Sequence, residues 1–197
     1  MPPRMLIVAG PPGAGKSKAF PVAGFGVDFF NADDRAAALN GGSYVNIPRG
    51  IRNEVNILFE SFVLEHIERR ASCAFETTLR SGITFDQAAL ARRAGFTTEM
   101  RYVALRDFSM HLERVKMRAD AGGHSAPESV LRAIYESSIR NLLRAIQEMD
   151  FLHVYDNSEW GVMPKVFLQA EDGEVVYLAE QIPDWLVGRL ERYVPKN

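Results

Sequence analysis

Gly10-Pro11-Pro12-Gly13-Ala14-Gly15-Lys16-Ser17 decides the reading of this chain. It follows Arg4-Met5-Leu6-Ile7-Val8-Ala9, a short apolar run that reads as a buried strand. The spacing is G-x-x-x-x-G-K-S, set between a strand and a helix start, which is the context a P-loop needs. Glycines let the backbone curl until successive N–H groups face one concavity, and the helix behind adds its positive dipole end. The cradle therefore runs through Gly10, Pro11, Pro12, Gly13, Ala14 and Gly15 and holds the phosphates of a nucleotide. Lys16 reaches the β- and γ-phosphates, and the Ser17 hydroxyl takes one position on Mg²⁺. A Gly/Pro-rich turn after a strand is the competing reading, and it leaves the Lys and Ser unexplained.

The 197 residues suffice for one well-buried α/β domain, taken as 1–197, and are too few for two comfortable ones. A net charge of −2 offers no basic excess for nucleic acid or an anionic membrane surface. No apolar run approaches the ~20 residues of a membrane span, and the N-terminus lacks signal-peptide architecture. The one cysteine, Cys73, excludes an internal disulfide and fits a reducing cytoplasm.

Outward from the loop, Pro21 makes the first helix short or kinked. Gly24–Phe30 reads as a second strand that ends in Asn31-Ala32-Asp33-Asp34. Acidic residues beyond a strand's C-terminal end lie on the ligand face of an open parallel sheet. Capping of the next helix by Asn31 or Asp33 explains them equally well. A long helix spans Arg49 to Arg70, and Ser72–Phe75 is a third strand ending in Glu76-Thr77-Thr78-Leu79-Arg80. Glu76 favours a site, because a partly buried carboxylate needs a partner; exposed turn residues are the plain alternative. Ile83–Ala94 is a helix stopped by Gly95, and Met100–Leu105 a fourth strand.

A basic helical stretch with His111, Arg114, Lys116 and Arg118 then enters the loop Ala121–Pro127. An arginine-rich helix–glycine loop–helix hairpin, about residues 108–128, has the build of a lid that closes over a nucleotide. A solvated basic face balanced by Glu113, Asp120 and Glu128 is the bland reading. The helix Val130–Met149 leads to a strand at Phe151–Tyr155, whose polar end Asp156-Asn157-Ser158 abuts the adenine or P-loop side. A hairpin around Glu171-Asp172-Gly173-Glu174 and a short helix from about Pro183 close the chain. The sum is an α/β, mainly parallel sheet flanked by helices, with a helical lid and a C-terminal β-hairpin. Acidic groups at two strand ends beside a P-loop and an arginine lid describe a phosphoryl transferase.

Gly10–Ser17, Asn31-Ala32-Asp33, Phe75–Arg80, Leu112-Glu113-Arg114-Val115, Gly122–Pro127 and Tyr155–Ser158, in this order, resemble the zeta-toxin family over nearly the whole chain. The resemblance implies a P-loop kinase that uses ATP and Mg²⁺ to phosphorylate a hydroxyl of UDP-N-acetylglucosamine, held in some members by a small antitoxin protein. It makes Asp33 the catalytic base, and makes Glu76, Thr78 and Arg80 the substrate-contacting strand end. Arg114 becomes a lid arginine on the phosphates and Arg118 a second lid cation. Pro21 departs from the family pattern, as does Ile134 before Tyr135, where an arginine is common. A kinase of another small hydroxyl compound (a nucleoside, sugar or antibiotic) and a non-catalytic nucleotide-binding module are the other readings.

Overall fold

Hydrophobic patterning puts β1 (Arg4–Ala9) at the centre, since every side chain from Met5 to Ala9 is buried. A strand buried on both faces is characteristic of parallel sheets. The computed structural model describes residues 1–121 and 126–190. β1 pairs in parallel with β3 (Cys73–Thr77) on one side and β4 (Thr97–Ala104) on the other. β2 (Asp28–Phe30) extends the sheet beyond β3, and β5 (Phe151–Asp156) extends it beyond β4, both in parallel. β6 (Lys165–Glu171) and β7 (Glu174–Leu178) add antiparallel as the expected hairpin. The order is β2-β3-β1-β4-β5-β6-β7. Strand connections therefore run to opposite sides of β1, and a crevice opens at its C-terminal end.

The helices are α1 (Lys16–Ala19), α2 (Ala32–Leu39), α3 (Arg49–Arg69), α4 (Ile83–Arg93), α5 (Phe108–Asp120) and α6 (Glu128–Glu148). The main core fills one face of the sheet. Met5, Ile7 and Ala9 of β1 meet Phe75, Tyr102 and Leu152 from neighbouring strands there. Ala36 of α2, Val63 of α3, Phe85 of α4 and Leu142 of α6 pack onto them. Tyr102 is fully buried within this layer, and its hydroxyl shares a 2.9 Å hydrogen bond with Ser138 on α6. Among the described residues no helix is long and apolar enough to cross a membrane.

The opposite face is thinner because α1 has only four residues. Pro21 follows at once, and a single 3-10 turn (Val22–Phe25) takes the place of further helix. Leu6, Val8, Val22 and Ala74 make a small second cluster lined by Phe20, Phe25 and Val27. Arg101 of β4 lays its guanidinium over Phe20 at 5.3 Å and Phe25 at 4.9 Å. Two expectations need correction here. The stretch Gly24–Phe30 forms a strand only from Asp28, since Val22–Phe25 is already committed to the turn. Beyond Pro183 the described residues form turns through Arg189 instead of a helix.

Gly10 leaves β1 at φ +139°, and a Cβ there would sit 2.1 Å from the Val103 carbonyl oxygen of β4. Both the backbone angle and the close approach of two chains exclude a side chain. Gly10→Ala should therefore lower stability by about 2–6 kcal/mol, the sum of backbone strain and overpacking, read as a fall in the urea midpoint at unchanged slope.

Candidate active site

The P-loop turns tightly, with Ala14 N–H donating to the Pro11 carbonyl at 3.2 Å, and Gly15 enters α1 in the left-handed region at φ 83°. Lys16 follows as the first helical residue and is almost wholly buried. Its ammonium donates to the Gly10 carbonyl at 3.0 Å and the Pro11 carbonyl at 3.4 Å. Burial pulls the Lys16 pKa below its ordinary value, while the carboxylates of Glu76 and Asp33 pull it back up. Glu76 stands on β3 with an oxygen 3.8 Å from Nζ. The neighbouring Ser17 hydroxyl faces both Glu76 oxygens, at 2.8 and 3.1 Å. Two strand ends far apart in sequence thus converge on one carboxylate. The partner that Glu76 was expected to need is the P-loop itself.

Asn31 and the two aspartates after it divide their duties. The Asn31 side chain caps α2, accepting from the backbone N–H groups of Asp33 at 3.0 Å and Asp34 at 3.3 Å. Asp34 accepts from the Tyr44 hydroxyl at 2.9 Å. Asp33 is exposed, and its carboxylate has no hydrogen bond among the described residues, though it lies in the field of Lys16. Capping therefore falls to Asn31, and Asp33 is left with its oxygens uncommitted.

After β3 the chain turns through Thr78, half-buried, and Leu79, fully buried in the left-handed region at φ 54°. Leu79 N–H donates to Thr77 Oγ1 at 3.0 Å, and its carbonyl accepts from Asn141 on α6 at 2.8 Å. These bonds hold a strained backbone and deliver Arg80 to the surface. Arg80 borders a groove of about 370 Å³ lined by Ser129, Val130, Ala133, Ile134 and Ser137 of α6.

α5 docks directly on the P-loop. His111 is buried between the two, with Nε2 3.1 Å from the Leu105 backbone N–H and Nδ1 2.9 Å from the Pro12 carbonyl. The N–H can only donate and the carbonyl can only accept, so the ring is neutral with its proton on Nδ1. Burial pushes the His111 pKa down to about 4; Lys16 and Arg114 push the same way, and the Pro12 bond and Asp107 oppose them. One turn on, Arg114 Nη2 donates to the Ser158 carbonyl at 3.1 Å. A Cβ built on Gly15 would meet the Arg114 guanidinium at 3.8 Å and the Asn157 amide at 2.6 Å. Asn157 donates to the Ala14 carbonyl at 2.8 Å, so the end of β5 does abut the P-loop. Arg118, a turn further along α5, is exposed yet close enough to act on the Lys16 charge. The loop Gly122-Gly123-His124-Ser125 of the expected lid lies outside the described residues.

The site thus gathers Lys16, Ser17 and Glu76 in contact, with Asp33, Arg114 and Arg118 around them. Thr78 and Arg80 stand further along the β3 loop. His111 escaped the sequence reading except as one of several basic residues, because nothing in its spacing foretells two backbone partners. No protein-family model and no curated protein sequence matches the chain. Solved structures do match. An AvrRxo1-ORF1:-ORF2 complex with ATP superposes with a TM-score of 0.66 at 17% identity, covering 89% of this chain and 60% of that one. The PezAT toxin–antitoxin system of Streptococcus pneumoniae superposes with a TM-score of 0.56 at 14% identity, covering 89% and 71%. The chain shares the fold of these proteins, an α/β fold with a mainly parallel sheet flanked by helices. A putative kinase from Chloroflexus aurantiacus shares it, with a TM-score of 0.54 at 18% identity over 71% of this chain and 80% of that one. The chain spans about 60% of the length of the AvrRxo1 chain it matches.

The neutral state of His111 has a signed consequence. Its folded pKa of about 4 lies below the unfolded value, so its contribution is whole above pH 6.5 and is lost as pH falls toward 4. On the order of 3 kcal/mol should disappear across that window. Urea midpoints measured from pH 7 to pH 4 should fall accordingly, and His111→Gln should flatten the upper part of the slope.

Proposed function

We propose that the protein is an ATP-dependent phosphotransferase that moves the γ-phosphoryl group to a hydroxyl of a small molecule. The observation that carries this reading is the contact of Ser17 and Glu76 beside the buried Lys16, with the uncommitted Asp33 carboxylate facing the same charge. A binding module needs the P-loop alone; the free carboxylate is what a transferase adds.

A hydroxyl oxygen and a carboxylate already in contact are hard oxygen donors of the kind Mg²⁺ takes. Among the described residues no group of three or more His, Cys, Asp or Glu side chains is arranged to hold a metal ion. Ser17 and Glu76 would hold the ion, which would supply charge neutralisation to the phosphates. Lys16 adds its own positive charge to the same phosphates. Asp33 accepts the proton of the acceptor hydroxyl as the hydroxyl oxygen bonds to the γ-phosphorus, the bond from that phosphorus to the β–γ bridging oxygen breaks, and ADP leaves with the bridging oxygen's electron pair. Arg114 and Arg118 present guanidinium groups from α5 to the moving charge. Thr78 and Arg80 receive the acceptor on the β3 side.

A nucleotide sugar such as UDP-N-acetylglucosamine is the acceptor that the motif resemblance supports. A protein partner that restrains the enzyme belongs to the same reading, since the PezAT structure is a toxin–antitoxin system. Asp33→Ala should lower turnover by roughly 10²–10⁴-fold while ATP affinity stays within about twofold. Product mass after incubation with ATP, Mg²⁺ and UDP-N-acetylglucosamine tests acceptor and reaction together. Near-wild-type turnover by Asp33→Ala would reject the base.

A further inference from the structure

Sheet order tells which way a nucleotide lies. Glu76 is on β3, Asp33 is in the first turn of α2 just after β2, and Ser17 contacts Glu76 from α1, so the reacting end of a triphosphate belongs on the β3–β2 side of the P-loop. The nucleoside end then runs the opposite way, across β1 toward the ends of β4 and β5. A base arriving there meets the loop that follows β5.

That loop is firmly held. Asn157 N–H donates to the Ala104 carbonyl at 2.9 Å, and its side chain donates to Ala14 in the P-loop. Ser158 Oγ accepts from the Arg106 N–H at 2.7 Å, and the Ser158 carbonyl accepts from Arg114. Two residues on stands Trp160, 65% exposed, with the Arg114 guanidinium 4.7 Å from its ring centre. Arg114 Nε is buried and has no hydrogen-bond partner among the described residues. The other tryptophan, Trp185, shows the usual arrangement, part-buried with its N–H donating to the Leu105 carbonyl at 3.2 Å. One exposed ring means little by itself; here it sits on a pinned loop beside a guanidinium that also approaches the P-loop, so its flat face is open to a ligand held there.

We propose that Trp160 is the stacking platform for the base of the bound nucleoside triphosphate. This rests on the nucleotide reading given above and adds the residue that recognises the non-reacting end. Arg114 bridges the two halves of the site, reaching the Gly15 end of the P-loop while its guanidinium lies over the indole. The platform is tolerant of base identity, because every base presents a π face to an aromatic ring.

Calorimetric titration of the full chain with ATP and with inorganic tripolyphosphate separates the two ends of the ligand. Trp160→Ala should weaken ATP binding by about tenfold or more and leave tripolyphosphate binding unchanged, while Trp160→Phe keeps most of the ATP affinity. ATP should quench wild-type tryptophan emission, and the quench should be absent in Trp160→Phe. Unaltered ATP affinity in Trp160→Ala overturns the proposal. Equal losses for both ligands also overturn it, because the ring then serves the loop and not a base. Wild-type protein that binds neither ligand defeats the nucleotide reading itself and the platform with it.

Discussion

One desolvated ammonium sets the terms for this molecule. Lys16 gives up nearly all its water, and two backbone carbonyls and one carboxylate replace it. A buried cation is tolerated only with such partners, so the curl of Gly10–Gly15 and the placement of Glu76 answer the same demand. The parallel pairing of β1 with β3 supplies the geometry, since Val8 lies opposite Glu76 and Ala9 opposite Thr77. A register shift of one residue would turn Glu76 to the other face and leave Lys16 without its carboxylate.

The first turns of α5 belong to the same rigid unit. His111 ties the helix to Pro12 and Leu105, Val115 is buried behind it, and Tyr135 of α6 packs on the imidazole with ring centres 5.2 Å apart. Arg118 lies beyond this anchor, on the exposed end of α5. Arg114 sits on the fixed portion and keeps its register with the P-loop.

Much of this was legible in residue order. The loop motif, the alternation of strands and helices and the hairpin around Asp172-Gly173 rest on local spacing, and local spacing survives folding. Glu76 was legible for a different reason: a carboxylate closing an apolar strand demands a partner. Less legible was the division of labour between Asn31, Asp33 and Asp34. It depends on Tyr44, ten residues beyond Asp34, donating to one aspartate and so leaving the other open. The short β2 escaped because Gly24–Val27 reads as well for a strand as for the turn that Pro21 and Gly26 impose. His111 and Trp160 were invisible as special residues. Their environments come from chain segments up to 99 residues distant, and no window of sequence contains both partners.

Leu79 carries a consequence for how this chain can vary. Its backbone adopts an angle that suits glycine or asparagine, yet its side chain is fully enclosed by the main core. Glycine would relax the backbone and leave a void; asparagine would fit the angle and strand an amide in hydrocarbon. The two pressures point to different amino acids, and an apolar side chain holding an unfavourable dihedral is the compromise. Drift at this position is therefore narrow, for reasons of packing and dihedral angle together.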